Sequence, residues 1–288
     1  MAKLVQIYRL EEVSPLLPAE KLSQQWNQLA EQAKGEPLLG AEIASQQAAT
    51  ALRAGQGTQA EQLWRELGEV ENWRVLGPFD NSSPAAIAKE EGPEKGIDLA
   101  AKYSGKQRQV SWRALPYAAT LGELALGNFL SPSQSVSAYA VSWVRSGNAQ
   151  EVALRLRDNG ATRIWVNGAL VFDEQGSHSS LGFDQHAVAA HLDGGWNLIL
   201  AKDGVTGGGA WAFSLRITTP QGQPLVLESR ATPPSELSAM GASSTAKEAV
   251  RDLTAMAKTA ATTPQGQLEY AWVLNRKHNF NEGGHDDA

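Results

Sequence analysis

The residues of this chain best suited to chemistry are aromatic. Six of its nine tryptophans fall between Trp73 and Trp211. An indole can stack on the apolar C–H face of a sugar while nearby polar groups fix orientation. Trp112, Trp143 and Trp165 are the tryptophans least committed to an inner core by the pattern around them, and Arg155, Arg163 and Asn167 could supply hydrogen bonds beside them. These six residues form the expected ligand-binding set, a shallow aromatic platform with weak affinity per module. The competing reading packs the same tryptophans beneath flanking helices. Solvent exposure separates the two, since a platform needs open ring faces.

Catalytic patterns are weaker. His178, Asp184 and His186 lie close together in HSSLGFDQH, and imidazole with carboxylate suits zinc. Their spacing is not a helical i, i+4 pair, and a loop entering a strand is the expectation. Ser179, His186 and Asp184 could be assembled into a triad, but no serine sits in a Gly-x-Ser-x-Gly turn. Asp158, Asp173, Glu174 and Asp184 have the type needed for glycoside hydrolysis, which requires two acids flanking a cleft. Most aspartates here fall in turns, where they bond their own backbone. The glycine-rich DGVTGGGA joins strand to strand and lacks the helix N-terminus of a phosphate loop. The expectation is that the chain is not an enzyme.

Composition narrows the classes further. The 288 residues are 42% hydrophobic and 19% charged, enough apolar material for a packed core. The length fits one large domain or two to three small ones. A net charge of -6 and a pI near 5.5 oppose the basic face of a nucleic-acid binder and bulk attraction to anionic lipid. There is no cysteine, which excludes thiol catalysis, disulfides and zinc–thiolate or iron–sulfur sites without fixing the compartment. No stretch approaches the roughly 20 apolar residues of a membrane span. Met1 to Leu10 shows no signal-peptide core.

Three textures follow one another along the chain. The first 70 residues read as helical: Leu22, Trp26, Leu29, Ala30 and Ala33 recur at helical period over Ala19–Ala33, and further helices are expected at Leu39–Ala54 and Gln59–Leu67, the last capped by Thr58. From Trp73, short β-rich runs alternate with Gly, Pro, Asn and Asp. Strands are expected at Trp73–Leu76, Val110–Leu115, Val136–Arg145, Glu151–Arg157, Thr162–Val166, Ala169–Phe172, His186–Leu192, Trp196–Lys202, Ala210–Thr218 and Pro224–Glu228. WVNGALVF is a two-residue hairpin signal. Within EVALRLRD, Val152, Leu154 and Leu156 should face inward, with Ala153, Arg155 and Arg157 on a wet face. Ile164 and Val166 should point inward and Trp165 outward. GWNLILAKD is apolar on both faces, so a helical flank or a long loop must cover its outer side. Trp211, Phe213, Leu215 and Ile217 form an inward row. After Arg230 a small-residue linker leads to helical patterns at Lys247–Ala260 and Gln265–Lys277, and the polar tail reads as continuing into a longer protein.

The block YAVSWVRSGNAQEVALRLRDNGATRIWVNGALVF, with HLDGGWNLILAKD and GGGAWAFSLRITTPQGQPL after it, resembles a galactose-binding-like jelly roll of the kind found in carbohydrate-binding modules. ALRAGQGTQAEQLWRELG resembles part of a tetratricopeptide helix pair. NWRVLGPFDN followed by IDLAAKYSGKQRQVSWRALP is similar to large exported bacterial proteins that join tetratricopeptide-type helices, this sandwich and a downstream transglutaminase-like domain. The resemblance spans roughly Glu71 to Glu228. It implies a mainly β fold, an antiparallel jelly-roll sandwich over 71–229 between a helical segment at 1–70 and a linker with helical extension at 230–288. It also implies a periplasmic or extracellular location and a non-catalytic module that binds a glycan, a cell-envelope component or a protein partner. Transglutaminase-like chemistry would need a cysteine that this chain lacks. Jelly rolls of this type often hold a structural calcium, for which PFDN and RDNG offer Asp80, Asn81, Asp158 and Asn159, with ordinary turns as the alternative.

Overall fold

The computed structural model describes residues 1–83, 85–115, 123–176, 182–208, 211–235, 246 and 248–278. Four helices open the chain: α1 (Ala2–Val13), α2 (Ala19–Gln32), α3 (Pro37–Arg53) and α4 (Gly57–Glu66). The strands are β1 (Trp73–Asp80), β2 (Lys102–Ser104), β3 (Gln109–Ser111), β4 (Arg113–Leu115), β5 (Val136–Ser146), β6 (Gln150–Asp158), β7 (Ala161–Val166), β8 (Ala169–Glu174), β9 (His186–Leu192), β10 (Gly195–Val205), β11 (Phe213–Thr218) and β12 (Glu228–Arg230). A short α5 (Leu126–Phe129) precedes β5, and α6 (Leu253–Ala260) and α7 (Pro264–His278) close the described chain.

All strand pairs are antiparallel. The seven-stranded sheet runs β4-β1-β5-β10-β7-β8, with β12 also pairing β5, and a three-stranded sheet runs β11-β6-β9. Their inner faces meet in one core. Val75, Val144, Ile164 and Ile199 come from the larger sheet; Leu154, Leu192, Phe213 and Leu215 come from the smaller. The inward rows expected for β6, β7 and β11 are all in this core.

The larger sheet is buried on both sides. On β5, Ala140 and Val144 face the inter-sheet core while Tyr139, Val141 and Trp143 face outward. On β10, Ile199 and Ala201 face in while Leu198 and Leu200 face out. The cover that such a strand demands is the long connection between β1 and β5, called the strap below. It carries the small β2–β3 hairpin, and its Ile97, Leu99, Tyr103, Val110 and Trp112 close over the outer row. The β7–β8 hairpin turns at Asn167 and Gly168, both at positive φ (49° and 86°), as a two-residue turn of mirror-image type requires.

The helices cover the opposite face, the back of the three-stranded sheet. Leu4, Leu22, Trp26 and Ile43 from the N-terminal helices pack with Leu253, Ala257 and Val273 from α6 and α7. The two ends of the chain therefore share one helical layer. Trp64 of α4 meets Phe183 at 6.3 Å between ring centroids, and Arg157 lies 5.5 Å over the Trp64 ring.

Several expectations need correction. Among the described residues, helices and strands hold roughly equal numbers, so the fold is mixed, antiparallel sheets plus N- and C-terminal helices, because the terminal helical segments pack together beside the sheets. Thr58 lies inside α4, which starts at Gly57 without a side-chain cap. The expected strand at Val110–Leu115 is two short pieces, β3 and β4, in different sheets. The last strand falls at Glu228–Arg230 rather than Pro224–Glu228, and β2 had no counterpart among the expected strands. The outer side of β6 is not wet: Ala153 is fully buried and Arg155 is 2% exposed. The linker after Arg230 and the tail after His278 lie largely outside the described residues.

Candidate functional site

A pocket of about 250 Å³ opens where the strap meets the outer face of the seven-stranded sheet. Leu198 and Leu200 of β10 and Trp165 of β7 line its sheet side, with the Asn167–Gly168 turn at one end and Pro93 to Ile97 of the strap opposite. Each wall is fixed by its own chemistry. The Asn167 carboxamide oxygen accepts from the Leu198 N–H at 2.8 Å, and its nitrogen donates to Asn197 Oδ1 at 2.8 Å and Asp193 Oδ2 at 3.2 Å. This bolts the hairpin tip to β10. In the strap, Gly92 and Gly96 bracket a single turn over Pro93–Lys95 at φ of 122° and 155°, a region that side chains with a Cβ rarely enter.

Beneath that turn lies a buried polar network. Tyr139 of β5 donates its hydroxyl to the Glu94 carboxylate, whose other oxygen accepts from the Gly92 N–H at 3.2 Å. Lys202 of β10, with a fully buried side chain, donates to the Lys89 carbonyl at 2.5 Å, stands 3.9 Å from Glu94 and lies 5.1 Å over the Tyr139 ring. Burial pushes the Lys202 ammonium down to about 8, against the pull of Glu94 and Glu91. Burial, then the hydrogen bond to Glu94, raises the Tyr139 phenol far above its ordinary range. The sequence signals for this site were a glycine-bracketed proline turn, GPEKG, and one lysine in the apolar run LILAKD; neither entered the expected binding set.

The expected ligand set is partly gathered here and partly dispersed. Trp165 and Asn167 line the pocket. Arg163 is next to them, 5.2 Å over the Trp165 ring and 3.2 Å from Asp173. Trp112 and Trp143 belong to the same outer cluster, but they and Trp165 are only 5%, 2% and 7% exposed. The open platform is thus corrected: Trp112 belongs to the strap itself, and the strap roofs Trp143 and Trp165, as apolar outward residues on a sheet strand require. Arg155 sits on the other sheet. Its guanidinium donates to Thr218 Oγ1 at 3.0 Å and the Arg251 carbonyl at 2.8 Å, and stands 3.5 Å from Asp184. Arg216 also grips Asp184, at 2.5 and 2.6 Å.

The calcium set does not form a cage. Asp80 is exposed and occupied by Ser82 at 2.6 Å and Lys106 at 3.1 Å, which hold its carboxyl below the usual range. Asn81 is 1% exposed and donates to the Val205 carbonyl at 3.3 Å. Asp158 is fully buried, and burial together with nearby Asp203 pushes its carboxyl up, toward the protonated form that binds calcium poorly. Asn159 accepts from the Ala212 N–H at 3.1 Å. Among the described residues, no group of three or more His, Asp or Glu is placed to hold a metal ion. His178 and Ser179 lie outside the described residues. Asp184 is spent on the two arginines, and His186 Nε2 stands 3.7 Å from Asp158. No described helix is long and apolar enough to cross a membrane.

No protein-family model matches the chain, and no curated protein matches it. Solved structures give distant likenesses. A β-glucosidase from Kluyveromyces marxianus aligns over 51% of this chain and 16% of its own at 10% identity and a TM-score of 0.34. An anti-sigma factor domain-containing protein from Clostridium clariflavum aligns over 57% and 49% at 14% identity and 0.35. A family 35 carbohydrate-binding module from Clostridium thermocellum aligns over 31% and 75% at 22% identity and 0.24. The chain spans less than half the length of the first two, and at these scores the likenesses carry no argument about function.

Proposed function

We propose that the chain is a non-catalytic binding and spacer module of a larger exported bacterial protein, and that it takes one ring of a glycan or cell-envelope component in the pocket under the strap. The pocket itself carries this reading. Its volume suits a single substituted ring, its sheet side is an indole beside two leucines, and its rim carries the exposed Lys95 amine, 3.2 Å from Glu90. An apolar floor with few polar groups is the usual make-up of a small-ligand site. The side-chain polar atoms of Asn167 and Glu94 are already hydrogen-bonded within the protein, so shape and C–H stacking would select the ligand. A screen of the full chain against mono- and oligosaccharides is the test. Binding that survives in the wild type and is lost on Ile97→Trp, with the circular-dichroism spectrum unchanged, is the expected result. Silence of the wild type across the panel would sink the reading.

A second reading has its own observation. Both outer faces are closed by the chain itself, one by the strap and one by the helical layer, and the buried Arg155–Asp184–Arg216 cluster joins that layer to the sheet. A chain so closed suits a scaffold that presents a neighbouring domain or docks a protein partner. Under this reading the screen is silent and a protein partner is retained instead.

A further inference from the structure

We propose that Lys202 and Tyr139 are positioning residues for the pocket, a buried latch that holds the Gly92–Gly96 turn in place through Glu94 and the Lys89 carbonyl. The proposal rests on the pocket being the binding site, and it names what controls that site's shape.

The strap has little main-chain attachment to the sheet it covers near the pocket. Its β2 and β3 pair with each other, and the turn at Pro93–Lys95 is held by internal bonds, Lys95 N–H to Gly92 O at 2.9 Å and Gly96 N–H to Pro93 O at 3.2 Å. What ties the turn to the sheet is side-chain chemistry: Tyr139 to Glu94, Lys202 to Lys89 O and Glu94, and Arg163 Nη1 to the Ala88 carbonyl at 3.4 Å. Leucines already fill the outward positions 198 and 200 of the same strand. A third apolar side chain at 202 would avoid the cost of burying an ammonium, so a lysine there is poor packing but specific anchoring. Buried polar or ionic groups fix register or position in some proteins, and that is the role inferred for Lys202.

The charged and titratable groups facing Lys202 come from three elements: Lys89, Glu91 and Glu94 from the strap, Tyr139 from β5 and Arg163 from β7. Desolvation outweighs the carboxylates, so the ammonium is less stable under the closed strap than in water. If the strap lifts, Lys202 regains its ordinary pKa. Closure therefore releases a proton between about pH 8 and the ordinary lysine range, and the strap holds more tightly as pH rises through that window. The neutral amine still donates to Lys89 O, now without a buried charge.

Hydrogen exchange on the full chain tests this without any ligand, so a failed glycan screen and a failed latch are told apart. The amides to follow are Lys95 and Gly96, corrected for the intrinsic pH dependence of exchange. In the wild type, their protection should rise about tenfold between pH 7.5 and 9.5. Lys202→Met should flatten that rise. Tyr139→Phe, which deletes one oxygen, should speed exchange at both amides severalfold at pH 7 while leaving amides of β5 and β10 unchanged. It keeps the test alive if the Lys202 variant fails to fold. A wild-type profile flat with pH, or Tyr139→Phe protection equal to wild type, would overturn the latch.

Discussion

The two outer faces of the sandwich are buried by opposite means. Behind the three-stranded sheet, Arg155 and Arg216, 2% and 1% exposed, converge on Asp184 beneath a layer of helices. Over the seven-stranded sheet, Tyr139, Trp143, Trp165, Leu198 and Leu200 meet an irregular strap, and Lys202 is the fully buried cation there. One interface is fastened by ions with an apolar surround, the other by aromatic area with a small polar latch. Ion clusters depend on each partner, because removing one leaves the rest buried and uncompensated. An aromatic cluster loses area in proportion to what is removed. The helical face should therefore be brittle to single polar changes, and the strap face graded.

The strongest test of that contrast is Asp184→Ala. It strands two buried guanidinium groups and should cost about 3–5 kcal/mol in urea unfolding. Arg216 also donates to the Leu67 carbonyl at 3.1 Å, so release of α4 should accompany the loss, read as faster exchange at α4 amides. A loss below about 1 kcal/mol would mean that the ions contribute little beyond their packing.

Trp143→Ala comes next. The ring is 2% exposed in the outer cluster, and the truncation should cost about 3 kcal/mol with the helical face unaffected. An unchanged urea midpoint would show that the strap cover is loose in solution. This also separates stability from binding: a binding defect in this variant would not locate a site, because the ring is packed.

The third contrast concerns the interior between the two faces and is read from the pH dependence of stability. Asp158 and Asp203 are buried and near each other, and burial pushes both carboxyls up. Asp203 accepts from Trp211 Nε1 at 2.6 Å and Thr162 Oγ1 at 2.7 Å. With folded values raised above unfolded ones, their contribution is fully present below the ordinary carboxylate range and is lost as pH rises toward and through neutrality. Asp203→Asn, which can still accept from Trp211, should flatten the fall in stability between pH 5 and 8. An equally steep profile in the variant would place the pH dependence on the other buried carboxyls, Asp158 and Glu69, the latter pushed up to about 8 by burial, as the next groups to change.

The sequence pattern was legible wherever a local rule fixes the answer. Strand period placed Leu154, Ile164 and Phe213 inward, and the Asn167–Gly168 pair announced its hairpin, since each depends only on neighbours along the chain. The double-faced apolar run at Trp196–Lys202 required a cover, and the strap supplies it. Arg155 was misread as wet because alternation reports polarity and not what lies opposite; its counter-ion is 29 residues away in Asp184. For the same reason the pattern left Trp112, Trp143 and Trp165 open to two readings, platform or packed, and their burial decides for packing.

By itself the sequence determined the order of textures, the inward rows of the sandwich, the exclusion of thiol chemistry and the need to bury the outside of β10. The tertiary structure alone decided which segment covers which face, that the first and last helices share a layer, and that Lys202, Glu94 and Tyr139 meet beneath a pocket. The division has one physical cause. Period and turn chemistry act over a few residues and are written in them, whereas the burial of a charge or an indole is settled by partners that the chain brings close only when it folds.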